Sequence, residues 1–395
     1  MGAHFFLTGG TGFLGSSLLP RLLSGFPESR ITLLLRGTDD AEAAARAWVL
    51  ADSVRRNHRQ IPDAAERIIH LRGDVSLDQC GLSPGTLSEL VKSVTHIIHG
   101  AASIRFDQPI AEARRVNCGG TRRMLDLALQ CIAGGKFERF VYIGTSSVSG
   151  RRDGPILEDE LETGQSFFNT YEQSKCEAER IVRDHFGLVP CTVFRPSIVI
   201  GDSTNGWTSS FNVIYIPLRL LSLGLLRWLP GLPVTTLDLV PVDWVNDAMV
   251  HIMRRKDSVG VVYHMTAGPG RAACLGDVVR SAIDYFDRRI PLGSPRAIEF
   301  VTQEEFDLLR SGMRGRQQEI MKQLDALLPY IGVERRFDTR NADAMMNASG
   351  IRLPLFREYS EQIFAYCLDS NWGKNPGGSQ QSTSSGQQSQ EKSST

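Results

Sequence analysis

The sequence lacks an excess of charge of either sign, and it lacks cysteines or histidines at metal-binding spacing. Its 44 basic residues balance 44 acidic ones over 395 residues, whereas proteins that bind nucleic acid carry a basic excess. Its seven cysteines include no Cys-x-x-Cys pair, and such thiols stay reduced in the cytoplasm. We therefore expect no nucleic-acid partner, no metal ion and a cytoplasmic protein with free thiols.

Long apolar runs are also scarce. Residues 211–232 come closest to the length of a membrane span, but Arg219, Arg227, Pro217 and Pro230 interrupt them. The first residues lack the basic region that opens a secretory signal peptide. We expect no transmembrane segment.

The first half does contain a regular alternation of short apolar runs with helical patterns. This alternation is typical of an α/β fold, in which a parallel sheet carries crossover helices on both faces. The predicted strands are His4–Leu7, Ile31–Leu35, Ile68–Leu71, His96–His99, Phe140–Ile143 and Thr192–Phe194. The predicted helices between them are Phe13–Leu23, Ala41–Arg55, Leu87–Val91, Pro109–Gln130 and Thr170–Phe186. Together they predict a Rossmann, doubly wound parallel sheet.

The pattern changes after Gly201. We predict a dinucleotide-binding Rossmann domain over residues 1–265, with a substrate-side insert near 202–235. Residues 266–372 predict a smaller, mostly helical substrate or lid region, in which Gln303–Leu328 forms one charge-rich helix. Residues 373–395 are almost free of apolar side chains, so we expect them to be disordered.

A glycine-rich turn follows the first predicted strand and opens the first predicted helix. In such a turn one glycine permits the sharp bend, a second lets the backbone approach a pyrophosphate, and a third lets the helix pack on the sheet. The phosphates then face the helix N-terminus. The alternative to a dinucleotide-binding turn is an ordinary turn between a strand and a helix. The residues that we assign to cofactor binding here are Thr8, Gly9, Thr11, Gly12, Phe13, Leu14 and Gly15.

The second predicted strand is followed by Arg36, where an acidic residue would hold the ribose 2′-hydroxyl of NAD. An arginine there suits a 2′-phosphate, because it donates charge-assisted hydrogen bonds. The sequence therefore favours NADP, used as NADPH. Arg46 could add a second contact or could simply be solvated. We expect the adenine and the phosphates to lie at the ends of the next two strands, against Asp74, Val75, Gly100, Ala101 and Ala102.

Tyr171 and Lys175 lie four residues apart on a predicted helix and therefore share a face. An ammonium beside a phenol lowers the pKa of the phenol from about 10, so Tyr171 is a candidate proton donor near neutral pH. The pair follows the fifth predicted strand, whose end carries Thr145 and Ser146. A hydroxyl there could hold the oxygen of a substrate, and we favour Thr145 over Ser146. By itself the Tyr-x-x-x-Lys spacing is also common on helix surfaces.

Together these residues resemble the extended short-chain dehydrogenase/reductase superfamily. Further segments resemble its branch of fatty acyl-CoA reductases, or male sterility proteins, and thioester reductases. They are His99–Asp107, Asn117–Thr121, Phe194–Ser203, Val240–Val245 and residues 328–338. The resemblance is strong over residues 4–265 and looser to about residue 370. Gly144 and Ser147 depart from the branch, because its acyl-CoA reductases tend to have serine and tyrosine at these positions.

The resemblance implies NADPH-dependent reduction of an acyl thioester, carried by CoA or by a carrier protein, to an aldehyde and in some cases to an alcohol. It implies a catalytic set of Thr145, Tyr171 and Lys175, in which Lys175 also holds the nicotinamide ribose. The remaining residues that it implies at the cofactor site are Asn117, Arg195, Pro196, Ser197 and Ile198.

Other functions stay open at this point. The same trio serves sugar-nucleotide epimerases and dehydratases and hydroxysteroid-type dehydrogenases, although an epimerase that holds NAD would favour an acidic residue at position 36. A non-catalytic dinucleotide sensor is a third alternative. The apolar stretch Val213–Leu229 is either a core helix or the wall of an acyl-chain site, and the second role would favour peripheral contact with a membrane.

Overall fold

A computed structural model describes residues 2–325, 328–347 and 349–375, so the predicted disordered tail lies outside the described residues from position 376 onward. The strands are β1 (His4–Thr8), β2 (Arg30–Leu35), β3 (Ile68–Arg72), β4 (His96–His99), β5 (Arg139–Ile143), β6 (Gly154–Ile156), β7 (Cys191–Pro196), β8 (Ile198–Ile200), β9 (Trp228–Pro230), β10 (Thr236–Leu237), β11 (Leu239–Pro241), β12 (Val261–Met265), β13 (Ala273–Cys274), β14 (Glu299–Val301) and β15 (Arg335–Phe337). The helices are α1 (Phe13–Gly25), α2 (Asp40–Asn57), α3 (Ala64–Arg67), α4 (Pro84–Ser93), α5 (Ile110–Ala133), α6 (Thr170–Arg183), α7 (Tyr215–Ser222), α8 (Val242–Met253), α9 (Leu275–Arg289), α10 (Gln303–Gly312), α11 (Arg316–Lys322), α12 (Leu328–Ile331), α13 (Arg340–Met346) and α14 (Phe356–Asp369).

In the described chain, the central layer is a seven-stranded sheet with the strand order β12-β7-β5-β4-β1-β2-β3. All of its strand pairs are parallel. The chain runs outward from β1 to β3 and then returns to β4, on the other side of β1. Sheets of this kind bind ligands at such a reversal, beyond the carboxyl ends of the strands. The predicted doubly wound α/β fold is confirmed.

Both faces of the sheet are covered by helices, and the alternation of side chains along β1 shows why. Phe5 and Leu7 point into a core that contains residues of α1 and α8, whereas Phe6 points into a core that contains residues of α4 and α5. Every residue of β1 is buried. A strand buried on both faces has a continuous apolar sequence, which is the pattern that predicted it.

Two of the differences from the predicted elements concern the central sheet and the C-terminal region. The edge strand β12 is not among the predicted strands, because the polar groups of Tyr263 and His264 interrupt its apolar run. The prediction of one helix over Gln303–Leu328 is wrong. Helix α10 ends at Gly312, and α11 begins only after Gly315, whose φ of 57° lies outside the helical region.

A second apolar core combines the segment after Gly201 with the C-terminal third of the chain. Leu218 and Leu221 of α7 are buried there together with Phe286 of α9 and Phe364 of α14. The apolar run at 211–232 is therefore divided between α7, which has only eight residues, and the short strand β9. Among the described residues, no helix has both the length and the apolar character needed to cross a bilayer.

The C-terminal region also returns to the first core. Strand β15 pairs in parallel with β6, and α13 packs beside β12. A fully buried carboxylate holds this return in place, because Glu158 accepts hydrogen bonds from the backbone N–H groups of His264, Asn341 and Ala342, at 2.9, 2.6 and 3.3 Å. One side chain thereby joins the edge strand β12 to α13.

This carboxylate predicts a specific pH dependence of stability. Burial raises the pKa of Glu158 from 4.5 to about 7, against the opposing effect of the three N–H groups. Between these two values the folded protein binds more protons at this group than the unfolded chain does, so the contribution of Glu158 to the free energy of unfolding falls as the pH rises. The amide of Glu158→Gln keeps an acceptor oxygen but does not titrate.

We therefore expect the stability of the wild type relative to Glu158→Gln to decrease steadily between pH 5 and pH 7.5, as measured by urea unfolding. Glu66→Gln, at an exposed position on α3, serves as the control and should show a constant difference. A difference for Glu158→Gln that is constant or grows with pH would contradict the prediction.

Candidate active site

A cleft of about 760 Å³ opens at the carboxyl ends of the strands, where the strand order reverses. One wall consists of the turn after β1, the ends of the neighbouring strands and the start of α6. The segments near β8, α7 and β10 and the C-terminal segment that ends in β15 complete the lining. All three predicted catalytic residues, Thr145, Tyr171 and Lys175, line this cleft.

The turn between β1 and α1 has the shape that a pyrophosphate requires. Gly9 has a φ of 80°, and a Cβ there would lie 2.7 Å from the backbone nitrogen of Ala101. A Cβ on Gly15 would lie 2.3 Å from the carbonyl oxygen of Gly9. Only glycine fits at these two positions. The first turn of the 13-residue helix α1 lines the cleft, so its free N–H groups favour an anion.

Most of the predicted cofactor residues line the cleft. They are Thr8, Gly9, Thr11, Gly12, Phe13, Leu14, Gly15, Arg36, Arg46, Asp74, Val75, Gly100, Ala101, Ala102, Pro196, Ser197 and Ile198. Arg46 extends from α2 to the glycine turn, where its Nη2 donates to Thr11 Oγ1 at 3.1 Å. Its Nη1 donates to the carbonyl oxygen of Arg36. Arg36 and Arg46 therefore stand together at one edge of the cleft.

Asn117 and Arg195 are not among the residues that line the cleft, and their assignment to the cofactor site stays a prediction. Asn117 is buried on α5, where its Oδ1 accepts from the Ser103 N–H at 2.7 Å and its Nδ2 donates to Ser174 Oγ at 2.9 Å. Arg195 is buried on β7 and forms an ion pair of 2.7 Å with Glu179 of α6. Both side chains hold α6, the helix that carries Tyr171 and Lys175.

A buried polar chain holds the end of β1 to the end of β4. Thr8 Oγ1 lies 2.8 Å from His99 Nδ1, and His99 Nε2 lies 3.2 Å from Thr121 Oγ1. Burial lowers the pKa of His99 to about 3, so the ring is neutral and donates through only one of its nitrogens. Thr8 Oγ1 also accepts from the Ala101 N–H at 3.2 Å. The two strand ends are thereby fixed at the floor of the cleft.

Helix α6 places the catalytic trio against the end of β5. Asn169 caps the helix by accepting from the Glu172 N–H at 3.0 Å. In the first turn, Tyr171 stands close enough to Thr145 for the threonine hydroxyl to lower the pKa of the phenol, and both side chains line the cleft. One turn later, Lys175 Nζ donates to the carbonyl oxygen of Ile143 at 2.9 Å. The hydroxyl that meets the phenol is therefore Thr145, the favoured one of the two candidates.

The predicted effect of Lys175 on the phenol is wrong. Burial raises the pKa of Tyr171 to about 12, and the neighbouring hydroxyl of Thr145 offsets only part of this rise. The ammonium lies 4.3 Å from the centre of the Tyr142 ring and bonds to Ile143. Burial also lowers the pKa of Lys175 to about 8, although Glu179 opposes the shift. Tyr171 is thus a protonated phenol, and so a hydrogen-bond donor, throughout the neutral range.

Four further side chains at the site were not predicted from the sequence: Tyr142, Phe106, Tyr330 and Arg335. The rings of Phe106 and Tyr171 lie 5.7 Å apart, and those of Phe106 and Tyr330 lie 6.2 Å apart. Phe106 and Tyr330 are separated by more than half of the chain, so no local pattern reveals their contact. Tyr142 lies within an apolar strand, where an aromatic residue normally indicates core packing.

The family model described as male sterility protein matches residues 7–249. The chain belongs to the male sterility protein family. The resemblance to the extended short-chain dehydrogenases/reductases is confirmed, and with it the assignment of a nicotinamide dinucleotide to this fold.

The relatives that match this chain cover different shares of its length. The fatty acyl-CoA reductase wat of Drosophila melanogaster is 28% identical over 293 residues, which cover 66% of this chain and 56% of that protein. The terminal R domain from the myxalamid PKS-NRPS biosynthetic pathway is 25% identical, with a TM-score of 0.79, and the match covers 94% of this chain and 91% of that one. A thiolation-reductase di-domain from an archaeal non-ribosomal peptide synthetase shares the fold, with 19% identity, a TM-score of 0.73 and coverage of 94% and 76%. This chain thus spans little more than half the length of the fly protein, and it spans less of the peptide synthetases that it also matches.

The contact between Lys175 and Tyr142 predicts a change in dinucleotide binding in this family member. Tyr142→Leu removes the aromatic face, whose attraction for a cation is worth about 0.5–2 kcal/mol, so the pKa of Lys175 should fall below its present value of about 8. The resemblance assigns the nicotinamide ribose to Lys175, so loss of its charge should weaken dinucleotide binding. As the pH rises from 6 to 9, we expect this loss of affinity to begin at a lower pH in the variant than in the wild type, as followed by fluorescence titration. Tyr142→Phe keeps the ring and should match the wild type; identical pH profiles for the leucine variant and the wild type would contradict the prediction.

Proposed function

We propose that this protein reduces an acyl thioester to an aldehyde, and in a second round to an alcohol, with NADPH as the hydride donor. The observation that carries the proposal is the pairing of Tyr171 with Thr145 in the same cleft as the glycine turn. The names of the relatives, a fatty acyl-CoA reductase and a thiolation-reductase di-domain, support a thioester as the substrate class. Delivery by CoA and delivery by a carrier protein both fit this class.

The charge at the edge of the cleft supports NADP over NAD. Arg36 and Arg46 stand where the second strand ends, and guanidinium groups there match a 2′-phosphate. The same pair disfavours a sugar-nucleotide epimerase that holds NAD through an acidic residue at this position. The glycine turn, Asp74 and the Gly100–Ala102 segment would hold the rest of the dinucleotide.

The chain's own groups polarise and protonate the reacting carbonyl. NADPH supplies the hydride when it is bound. Tyr171 and Thr145 donate hydrogen bonds to the carbonyl oxygen, and Tyr171 transfers its proton as negative charge develops there. Lys175, charged below its pKa of about 8, adds positive potential and would hold the ribose. The tetrahedral product then breaks its carbon–sulfur bond, which releases the thiol and leaves the aldehyde.

Apolar side chains from the segments near β8, α7 and β10 provide room for an acyl group. Ile198, Val213, Ile214 and Leu237 line the cleft. Within the stretch Val213–Leu229, the start faces the cleft, whereas Leu218 and Leu221 are buried in the second core. We therefore assign the acyl-chain role to the start of this stretch and the core role to the rest of it. Peripheral contact with a membrane stays a prediction, as does a cytoplasmic location.

The direct test of the proposal is NADPH consumption with acyl-CoAs of graded length and with their pantetheine thioesters, with the products identified by mass spectrometry. We expect an aldehyde or an alcohol from at least one substrate. Tyr171→Phe should lose at least 100-fold in kcat, because general acid catalysis contributes about 10²- to 10⁴-fold, while its affinity for NADPH stays nearly unchanged.

Tyr366→Phe provides the matched control, because it removes a phenol from α14, which does not line the cleft. It should keep the activity of the wild type. Equal activity of Tyr171→Phe and the wild type would remove the mechanism, and binding of NADPH without turnover of any thioester would favour a dinucleotide sensor.

The cofactor assignment has its own test. Arg36→Asp introduces a carboxylate that repels a 2′-phosphate and accepts hydrogen bonds from a 2′-hydroxyl. We expect the ratio of kcat/KM for NADPH to that for NADH to fall by at least tenfold, since one charge-assisted hydrogen bond is worth about 1.5–3 kcal/mol. Thr38→Asp, two residues further along and outside the cleft lining, should leave the ratio nearly unchanged. A wild type that already prefers NADH would overturn the assignment.

A further inference from the structure

One wall of the cleft beside Tyr171 comes from the C-terminal segment 330–337. Tyr330, Val333, Arg335 and Phe337 of this segment line the cleft. Its position is fixed, because β15 pairs with β6 and the Gly154 N–H donates to the carbonyl oxygen of Glu334 at 2.8 Å. The segment is therefore a built part of the site and not a loose covering.

A line of aromatic rings connects this segment to the catalytic tyrosine. The Phe106 ring lies 5.7 Å from that of Tyr171 and 6.2 Å from that of Tyr330. Tyr330 also lies 5.8 Å from the Phe168 ring, and its hydroxyl accepts from Asn169 Nδ2 at 2.9 Å. Tyr330 thus stands one ring away from the reacting position.

The guanidinium of Arg335 lies on these rings, 5.5 Å from the centre of Tyr330 and 5.6 Å from the centre of Phe168. Its Nη2 donates to the carbonyl oxygen of Gly150 at 2.7 Å. Its Nε is buried and has no hydrogen-bond partner among the described residues. Stacking on two rings fixes the plane of the guanidinium, so its donors point in set directions.

Neighbouring groups act against the effect of burial on Arg335. Burial lowers the pKa of Arg335, whereas Glu172 and Tyr330 raise it. Glu172 is fully buried on the first turn of α6, and its Oε2 accepts from the Phe168 N–H at 3.0 Å. A buried donor without a partner is destabilising, and a charged one more so. Arg335 as a whole is only partly buried and lines the cleft, so an acceptor in the cleft can be placed against its side chain.

We propose that Arg335 binds a carbonyl oxygen of the substrate that is separate from the reacting thioester. The inference rests on the proposed function and names a recognition group within the same cleft. Two rings separate the guanidinium from Tyr171, so the bound oxygen lies several bonds from the reacting carbon. Two parts of a thioester substrate carry such an oxygen: the amide carbonyls of the pantetheine arm and an oxo group on the acyl chain.

The test compares wild type, Arg335→Met and Arg335→Lys on matched thioesters. One acyl group is supplied on CoA, on pantetheine and on ethanethiol, and each thiol is also supplied with the corresponding 3-oxoacyl group. Arg335→Met keeps an apolar side chain without donors, and Arg335→Lys keeps the charge without the planar fork. Arg151→Met is the control, because Arg151 lies 4.6 Å from the same Phe168 ring but does not line the cleft.

We expect Arg335→Met to raise KM and to lower kcat/KM by about 10- to 100-fold for substrates that carry the recognised oxygen. If that oxygen belongs to pantetheine, the loss disappears with the ethanethiol esters. If it belongs to the acyl chain, the loss appears only with the 3-oxoacyl groups, on every thiol. Arg335→Lys should lose less than Arg335→Met but show the same pattern, and Arg151→Met should match the wild type.

An equal loss on all six substrates would overturn the inference, because it would indicate a role in structure alone. Unchanged kinetics in both Arg335 variants would overturn it as well. Fluorescence titration with NADPH checks that each variant is folded. If the wild type reduces none of the thioesters, the proposed function is wrong and the inference about Arg335 fails with it. If the wild type is active but the Arg335 variants lose no activity on any particular thioester, the inference alone is wrong.

Discussion

The site depends on how α6 lies against the end of β5. Four residues advance a helix by about 6 Å, and two residues advance a strand by about 6.6 Å. The distance from Tyr171 to Lys175 along the helix therefore matches the distance from Thr145 to Ile143 along the strand. Because the helix and the strand run in opposite directions, Tyr171 faces Thr145 while Lys175 faces Ile143. Glu179 holds this register through its buried ion pair with Arg195 on the neighbouring strand β7. A shift of α6 by one turn would leave the phenol without its hydroxyl partner.

The dinucleotide half of the cleft could be predicted from the sequence because its chemistry is local. Gly9 and Gly15 are required by backbone contacts within a single turn, and Arg36 directly follows the strand that positions it. The pairing of Tyr171 with Thr145 was also predictable, since helix periodicity and strand position fix both residues. The doubly wound parallel sheet followed from the alternation of apolar runs with helices, although β12 was missed because its apolar run is interrupted.

The electrostatics of the site and the part of its lining formed by residues 330–337 could not be predicted, because both arise from contacts between distant segments. A helical spacing of four residues suggests that Lys175 acts on Tyr171, but burial dominates the pKa of the phenol, and the ammonium is bound to Ile143 and Tyr142. Burial is a property of the folded chain and leaves little trace in a short motif. Likewise, nothing near Arg335 in the sequence indicates that Phe168 lies beneath it.

The path of the chain limits how the cleft can open. Beyond β7 it passes into the second core, comes back with α8 and β12, leaves again with α9, returns with β15 and α13, and ends in α14. The backbone therefore crosses between the two cores several times, and neither core is formed by one continuous segment of the chain. A movement that widens the cleft would therefore have to bend several connections together.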